Sequence, residues 1–168
     1  MSTSRTTKKS RIASPSEPEA TPWRLYAHPA FREKWERLIA EVESLRRTDP
    51  KRYVGHPKTK LLKRLQELIL REIPSHPNSE QYQLGNTLGP AHRHWRRAKF
   101  LGRFRLFYRF ESQHRIIVYA WANDENTLRK AGARTDPYVV FRSRLRGGHP
   151  PDDWNALIAA SQPLTRPK

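Results

Sequence analysis

From Gln81 to Phe110 the chain contains no Asp or Glu, yet it carries Arg93, Arg96, Arg97, Lys99, Arg103, Arg105 and Arg109, with His92 and His94 just ahead. Cations at alternating positions in an extended segment share one face. Arg97 and Lys99 therefore point one way, as do Arg103 and Arg105. Pairing across a Leu101-Gly102 turn puts all four on a single sheet face. Such a face suits phosphates, and its side chains can stabilise the extra negative charge that develops when a phosphodiester is attacked. The simplest cleavage of RNA uses the RNA's own 2′-hydroxyl as nucleophile. It needs a group to take that proton, cations for the phosphorane, and a donor for the leaving 5′-oxygen.

Other chemistry has less support. Four of the seven histidines, His28, His56, His76 and His149, precede Pro, a context of turns and helix entries. His92 and His94, beside the basic stretch, read as binding or surface residues. Asp124-Glu125 and Asp152-Asp153 are adjacent pairs that fit caps and solvated loops, with no third acid at metal-ligating spacing, so neither a metal nor another cofactor is expected. There is no phosphate-cradling Gly-rich loop and no Gly-x-Ser-x-Gly sequence. With no Cys, the chain has no disulfide, thiolate metal site or thiol nucleophile, which fits the cytoplasm.

The net charge of +17 calls for an anionic partner: nucleic acid, an acidic protein or a membrane surface. No apolar run reaches the roughly 20 residues of a spanning helix, and the N-terminus lacks the apolar core of a secretion signal. With 36% hydrophobic and 10% aromatic residues, most of the chain should fold. Residues 1–22 have almost nothing apolar and are expected as a disordered tail. Residues 23–161 are expected as one domain, and 162–168 as a flexible C-terminal tail.

The elements that must carry the cations follow from periodicity. Trp23 to Ala27 alternates as a strand. His28-Pro29 opens a helix whose stripe is Phe31, Trp35, Leu38, Val42 and Leu45, ending at Asp49-Pro50. Pro57 starts a second helix, striped by Leu61, Leu65, Leu68 and Ile69, that should stop before Pro74. Trp95–Phe100, Phe104–Phe110 and Ile116–Trp121 read as an antiparallel meander, the last strand apolar enough to be central. Asp136-Pro137 opens a helix lined by Tyr138, Phe141 and Leu145 and ended by Gly147-Gly148. A last helix, opened by Pro151-Asp152-Asp153, carries Trp154, Leu157 and Ile158.

Several stretches together resemble the YhaV family of type II toxin–antitoxin toxins, within the RelE-like ribonuclease superfamily. They are Trp23 to Pro29, Thr59-Lys60-Leu61-Leu62, Gly102 to Arg109, Trp121 to Arg129 and Gly148 to Trp154. The third is the general RelE-like strand pattern; the fourth and fifth are particular to YhaV. The resemblance spans about Trp23 to Ala160. It implies an α+β, RelE-like fold: a helical hairpin packed on a small antiparallel sheet, with C-terminal helices. It also implies metal-independent cleavage of mRNA that inhibits translation, and a cognate AbrB-like, swapped-hairpin antitoxin. RelE-like enzymes use strand-borne Lys and Arg plus an Arg and a Tyr near the C-terminal helix. By position these are Arg97, Lys99 and Arg105, with Tyr138 as the tyrosine and Arg134 as the last arginine, for which Arg129 competes.

The sequence is thus read as an endoribonuclease with catalytic residues Arg97, Lys99, Arg105, Arg134 and Tyr138. Arg93, Arg96, Arg103, Arg109, Arg129 and His149 are expected to bind RNA, and His149 to handle a proton if it folds over the sheet. mRNA, on the ribosome or free, and operator DNA for the toxin–antitoxin complex are the nucleic-acid partners considered. The rival is a basic RNA- or DNA-binding module without chemistry, and a third reading is a regulator whose basic face meets an acidic protein.

Overall fold

The computed structural model describes residues 22–167, so all but the last residue of the expected N-terminal tail lies outside the described residues. A five-stranded sheet forms the middle layer. Its strands are β1 (Arg24–Ala27), β2 (Arg96–Phe100), β3 (Phe104–Glu111), β4 (Ile116–Ala122) and β5 (Gln162–Pro163), in the order β2-β3-β4-β1-β5. The antiparallel meander of β2, β3 and β4 is present, and β4 is central. The sheet as a whole, however, is mixed: β1 pairs with β4 in parallel, Leu25 opposite Ile117 and Tyr26 opposite Val118. Alternation identifies β1 as a strand, but the direction of a partner 92 residues away (Arg24↔Ile116) is not a local property.

The helices α1 (Pro29–Thr48) and α2 (Pro57–Glu67) cover one face. Phe31, Trp35, Leu38 and Val42 of α1 and Leu62, Leu65, Leu68 and Ile69 of α2 and its extension pack on Ala98, Phe100, Leu106, Tyr108, Ile117 and Tyr119. Two buried phenols on this face are satisfied by carbonyls: Tyr108 donates to Pro77 O (2.7 Å) and Tyr119 to Ile69 O (2.6 Å). Past Glu67 the helix does not stop before Pro74. It widens into a π-type turn over Leu68–Glu72, where Ile73 N–H reaches back to Leu68 O, and ends as Ile73–Ser75. The wider turn lets a residue with no N–H sit in the final turn.

On the opposite face lie α3 (Pro137–Arg146) and α4 (Trp154–Ala160). The Phe141 ring is the centre of this layer. It stacks on Phe107 at 4.2 Å and on Trp121 at 5.8 Å, and meets Trp95 edge-on at 5.0 Å. The C-terminal stretch expected to be flexible is instead packed: Ala27 pairs with Gln162, Leu164 is buried, and Trp35 Nε1 donates to Thr165 O at 2.7 Å. Its apolar content is a single leucine, so composition alone gave no sign that it would add an edge strand.

His28 joins sheet to helix. Its extended backbone continues β1, with its N–H on Tyr119 O at 2.9 Å, and its Nδ1 accepts Ala30 N–H at 3.1 Å to cap α1. An accepting Nδ1 requires the neutral ring in its Nε2–H tautomer. Burial, and then the charges of His149, Arg144 and Arg32, push this imidazole from 6.5 down to about 4. The native state therefore resists a proton that the unfolded chain accepts. Stability is full above about pH 6.5 and declines as the pH falls toward 4, by at most about 1.4 kcal/mol per pH unit from this group. Asn caps a helix without titrating. In chemical denaturation at pH 7 and pH 5, His28→Asn should lose less stability over that interval than the wild type. An identical loss would remove His28 from the acid response.

Candidate active site

The register of β2 on β3 places Lys99 opposite Arg105 and Arg97 opposite Phe107, so Arg97, Lys99 and Arg105 do share one face. That face is the one under α3, and the expected open array of cations is corrected accordingly. Lys99 is exposed, whereas Arg97 and Arg105 are buried, at 8% and 7% exposure. Arg103 lies in the turn before β3, exposed, with its Nε on Arg129 O at 3.1 Å.

Tyr138, one residue into α3, joins the two buried guanidinium groups. Its hydroxyl oxygen accepts from Arg97 Nη1 at 3.0 Å and from Arg105 Nε at 3.1 Å. Two further nitrogens donate to carbonyls: Arg97 Nη2 to Gln81 O and Gln83 O, Arg105 Nη1 to Gly102 O and Phe104 O. Arg97 Nε is buried without a partner. Among the described residues, no carboxylate forms an ion pair with Arg97 or Arg105. Buried charges are ordinarily paired, because removing an ion from water costs several kcal/mol. Here two guanidiniums without a carboxylate partner meet on one phenol oxygen. With that oxygen accepting twice, the phenol's own proton is available to donate.

Asp136 and Asn123 hold this arrangement. Asp136 is buried. One carboxylate oxygen caps α3 through Tyr138 N (3.0 Å), and the other takes Lys130 N–H (2.8 Å) and Arg129 Nη1 (2.5 Å). Arg129 is thereby laid over the Tyr138 ring, 4.9 Å from its centre. Asn123, also buried, accepts Arg105 N–H at 2.6 Å and donates to Arg103 O and Thr127 O, pinning the loop after β4 to the start of β3. Sequence reasoning missed Asn123 as a positioning residue. Its signal was a lone amide directly after an unbroken apolar strand, where a buried polar group must have backbone partners.

The other expected residues lie elsewhere. Arg134 is exposed and makes no side-chain hydrogen bond with the described residues, so of the two candidate arginines only Arg129 reaches Tyr138. His149 does not fold over the sheet; its ring meets that of His28 at 4.8 Å. Arg93 holds Asn86, and Arg96 holds Asn78 beside the Phe110 ring. Arg109 lies between the Trp95 and Trp154 rings and donates to Asp152 O at 2.6 Å.

Asp152, read from sequence as a cap, has a different role. Its Oδ1 meets His92 Nδ1 at 3.2 Å, His94 Nε2 at 2.8 Å and Trp95 Nε1 at 2.7 Å, while the neighbouring Asp153 caps α4. Burial tends to raise its pKa, but the hydrogen bonds from Trp95, His94 and His92 prevail and hold it below the usual carboxylate range.

Residues 25–162 match the family described as a toxin with endonuclease activity, of a toxin–antitoxin system. The chain belongs to the YhaV toxin family. It is accordingly the toxin of a toxin–antitoxin system and an endonuclease. Its similarity to Toxin YhaV of Escherichia coli O6:H1 (strain CFT073) and to Ribonuclease toxin YhaV of Escherichia coli K12 is 44% identity over 142 residues, 83% of this chain and 92% of each relative. Among solved structures, a chain of the toxin–antitoxin complex RelBE2 of Mycobacterium tuberculosis aligns with 15% identity and a TM-score of 0.41, over 62% of this chain and 99% of that one.

The unpaired guanidiniums give a stability test for the YhaV site. Replacing a buried unpaired charge by an apolar group of similar length removes a desolvation penalty. Arg105→Met should melt at the wild-type temperature or higher. Millimolar inorganic phosphate should raise the melting temperature of the wild type but not of this variant. A variant that melts lower and still responds to phosphate would show that the pair is structural.

Proposed function

We propose that this chain cleaves mRNA at the Arg97–Arg105–Tyr138 cluster by attack of the 2′-hydroxyl on the adjacent phosphate. The observation that carries the reading is the buried guanidinium pair without a carboxylate. Arg97 and Arg105 hold the non-bridging oxygens and the charge that develops on them. Lys99, exposed on the same face opposite Arg105, and Arg129, over the Tyr138 ring, extend the positive field around the phosphate. The 2′-oxygen–phosphorus bond forms as the phosphorus–5′-oxygen bond breaks. The 2′-hydroxyl gives up its proton, the 5′-oxygen gains one, and the products are a 2′,3′-cyclic phosphate and a 5′-hydroxyl. Tyr138 supplies or relays the proton on the leaving side. The work falls to Arg129 rather than Arg134, because only Arg129 touches Tyr138.

The same reading takes the fold as RelE-like, acting in the cytoplasm on mRNA. No helix among the described residues is long and apolar enough to cross a membrane. Its antitoxin, of the swapped-hairpin AbrB-like class, silences it by placing acids over the cluster, and the complex is the form that meets operator DNA. The exposed cations Arg93 and Arg103, and the half-buried Arg96, bind RNA without taking part in the chemistry. A module that only binds nucleic acid would have no use for two cations hidden from solvent.

Single-turnover cleavage of a defined RNA tests this. Tyr138→Phe removes one hydroxyl and keeps the ring, so its cleavage rate should fall at least about a hundredfold, in the range of lost proton transfer, in a variant that still folds. Excess EDTA should leave the wild-type rate unchanged. Full activity in Tyr138→Phe would remove the phenol from the chemistry, and inhibition by EDTA that magnesium reverses would overturn the metal-free mechanism.

A further inference from the structure

We propose that His92 Nδ1, His94 Nε2 and the Asp152 carboxylate form a binding site for one divalent transition-metal ion of the zinc class. This site lies at the start of β2, apart from the guanidinium pair, and does not rest on the cleavage mechanism.

The geometry comes first. The three ligand atoms lie within 4.8 Å of one another. The two nitrogen-to-Oδ1 separations, 3.2 Å from His92 and 2.8 Å from His94, are close to the edge of a zinc tetrahedron, about 3.3 Å for bonds of about 2.0–2.1 Å. The third edge, between the two nitrogens, closes by a small adjustment of the His94 ring, whose side chain is 36% exposed.

Hydrogen bonding alone serves this cluster poorly. A carboxylate oxygen has two lone pairs. One is used by Trp95 Nε1–H at 2.7 Å, and Trp95 is completely buried, so that donor has nowhere else to go. Two imidazole nitrogens then compete for what remains, while Asp152 Oδ2 has no hydrogen-bond partner among the described residues. A single cation between the three side chains satisfies both nitrogens and the carboxylate at once.

The surroundings resemble the outer shell of a metal site. A ligating carboxylate is normally fixed by further hydrogen bonds. Here Trp95 holds the carboxylate from one side, and Arg109 holds the Asp152 carbonyl at 2.6 Å. The donor set selects the ion. Two imidazoles and one carboxylate suit zinc, nickel, cobalt or copper, whereas calcium and magnesium require several oxygens. The nearby Arg109 charge disfavours any cation, and imidazole affinity for transition ions overcomes that best. Three protein ligands leave a fourth position, on the solvent side of His94 and Asp152, for water.

The ligands come from segments 58 and 60 residues apart. His92 ends a short turn before β2, and Asp152 stands two residues before α4. An ion there clips the first turn of α4 across Trp95, so binding should stabilise the fold.

Calorimetric titration of zinc chloride into the purified, chelator-stripped full chain tests this. We expect one ion per chain and a higher melting temperature with zinc than without. Magnesium should give neither. His94→Ala, at an exposed position whose loss disturbs little packing, should weaken zinc binding at least about tenfold, as should His92→Ala. Both variants should melt at the wild-type temperature in the absence of zinc. Absence of one-to-one binding would overturn the proposal. So would unchanged zinc affinity in the His92→Ala/His94→Ala double variant, which would place the ion on other histidines.

Discussion

Two guanidinium groups buried against one phenol oxygen, with no carboxylate to neutralise them, are the constraint around which the rest of this molecule is arranged. Each such ion carries a desolvation penalty of several kcal/mol. The offset comes from the aromatic layer beside them. Phe107, Trp121, Trp95 and Phe141 are all buried on the same sheet face, and truncating rings of this kind typically costs about 3–5 kcal/mol each. The stacking of Phe141 on Phe107 sets α3 down on the sheet, and with it Tyr138 between Arg97 and Arg105. Asp136 then fixes the helix start and Asn123 the loop beneath it. Through the backbone N–H groups of Tyr138 and Arg105, these two side chains decide where the phenol and the guanidinium lie.

Much of this was legible in the residues. Alternation in Arg103 to Phe110 separates the two faces of β3, and helical spacing gives the buried stripes of α1 and α2. The four-residue β1 is visible, and the unbroken apolar run of β4 marks it as central. What was not legible depends on pairings between distant segments. The parallel union of β1 with β4 and the edge pairing of Gln162 have no local signature. Whether a strand cation faces water or a helix also cannot be told from its own segment. Arg97 and Lys99 follow the same alternation on either side of Ala98, but only Arg97 of the two lies beneath Tyr138. In the same way Asp152 reads as part of a capping pair, which its neighbour Asp153 is, until the fold brings His92 and His94 to it.

Burial also decides which of the many cations matter to the partner. The chain carries a net +17, and most of the Lys and Arg side chains among the described residues are exposed, where an ion pair is worth about 0–1 kcal/mol and is screened by salt. At Arg97 and Arg105 the desolvation cost has already been met by folding. An anion arriving there meets two oriented donors in a medium of lower effective dielectric, where attraction is several times stronger than in water. On the proposed reading, one acidic side chain at this cluster competes with substrate phosphate on equal electrostatic terms, while acids spread over the remaining basic surface mainly speed the encounter.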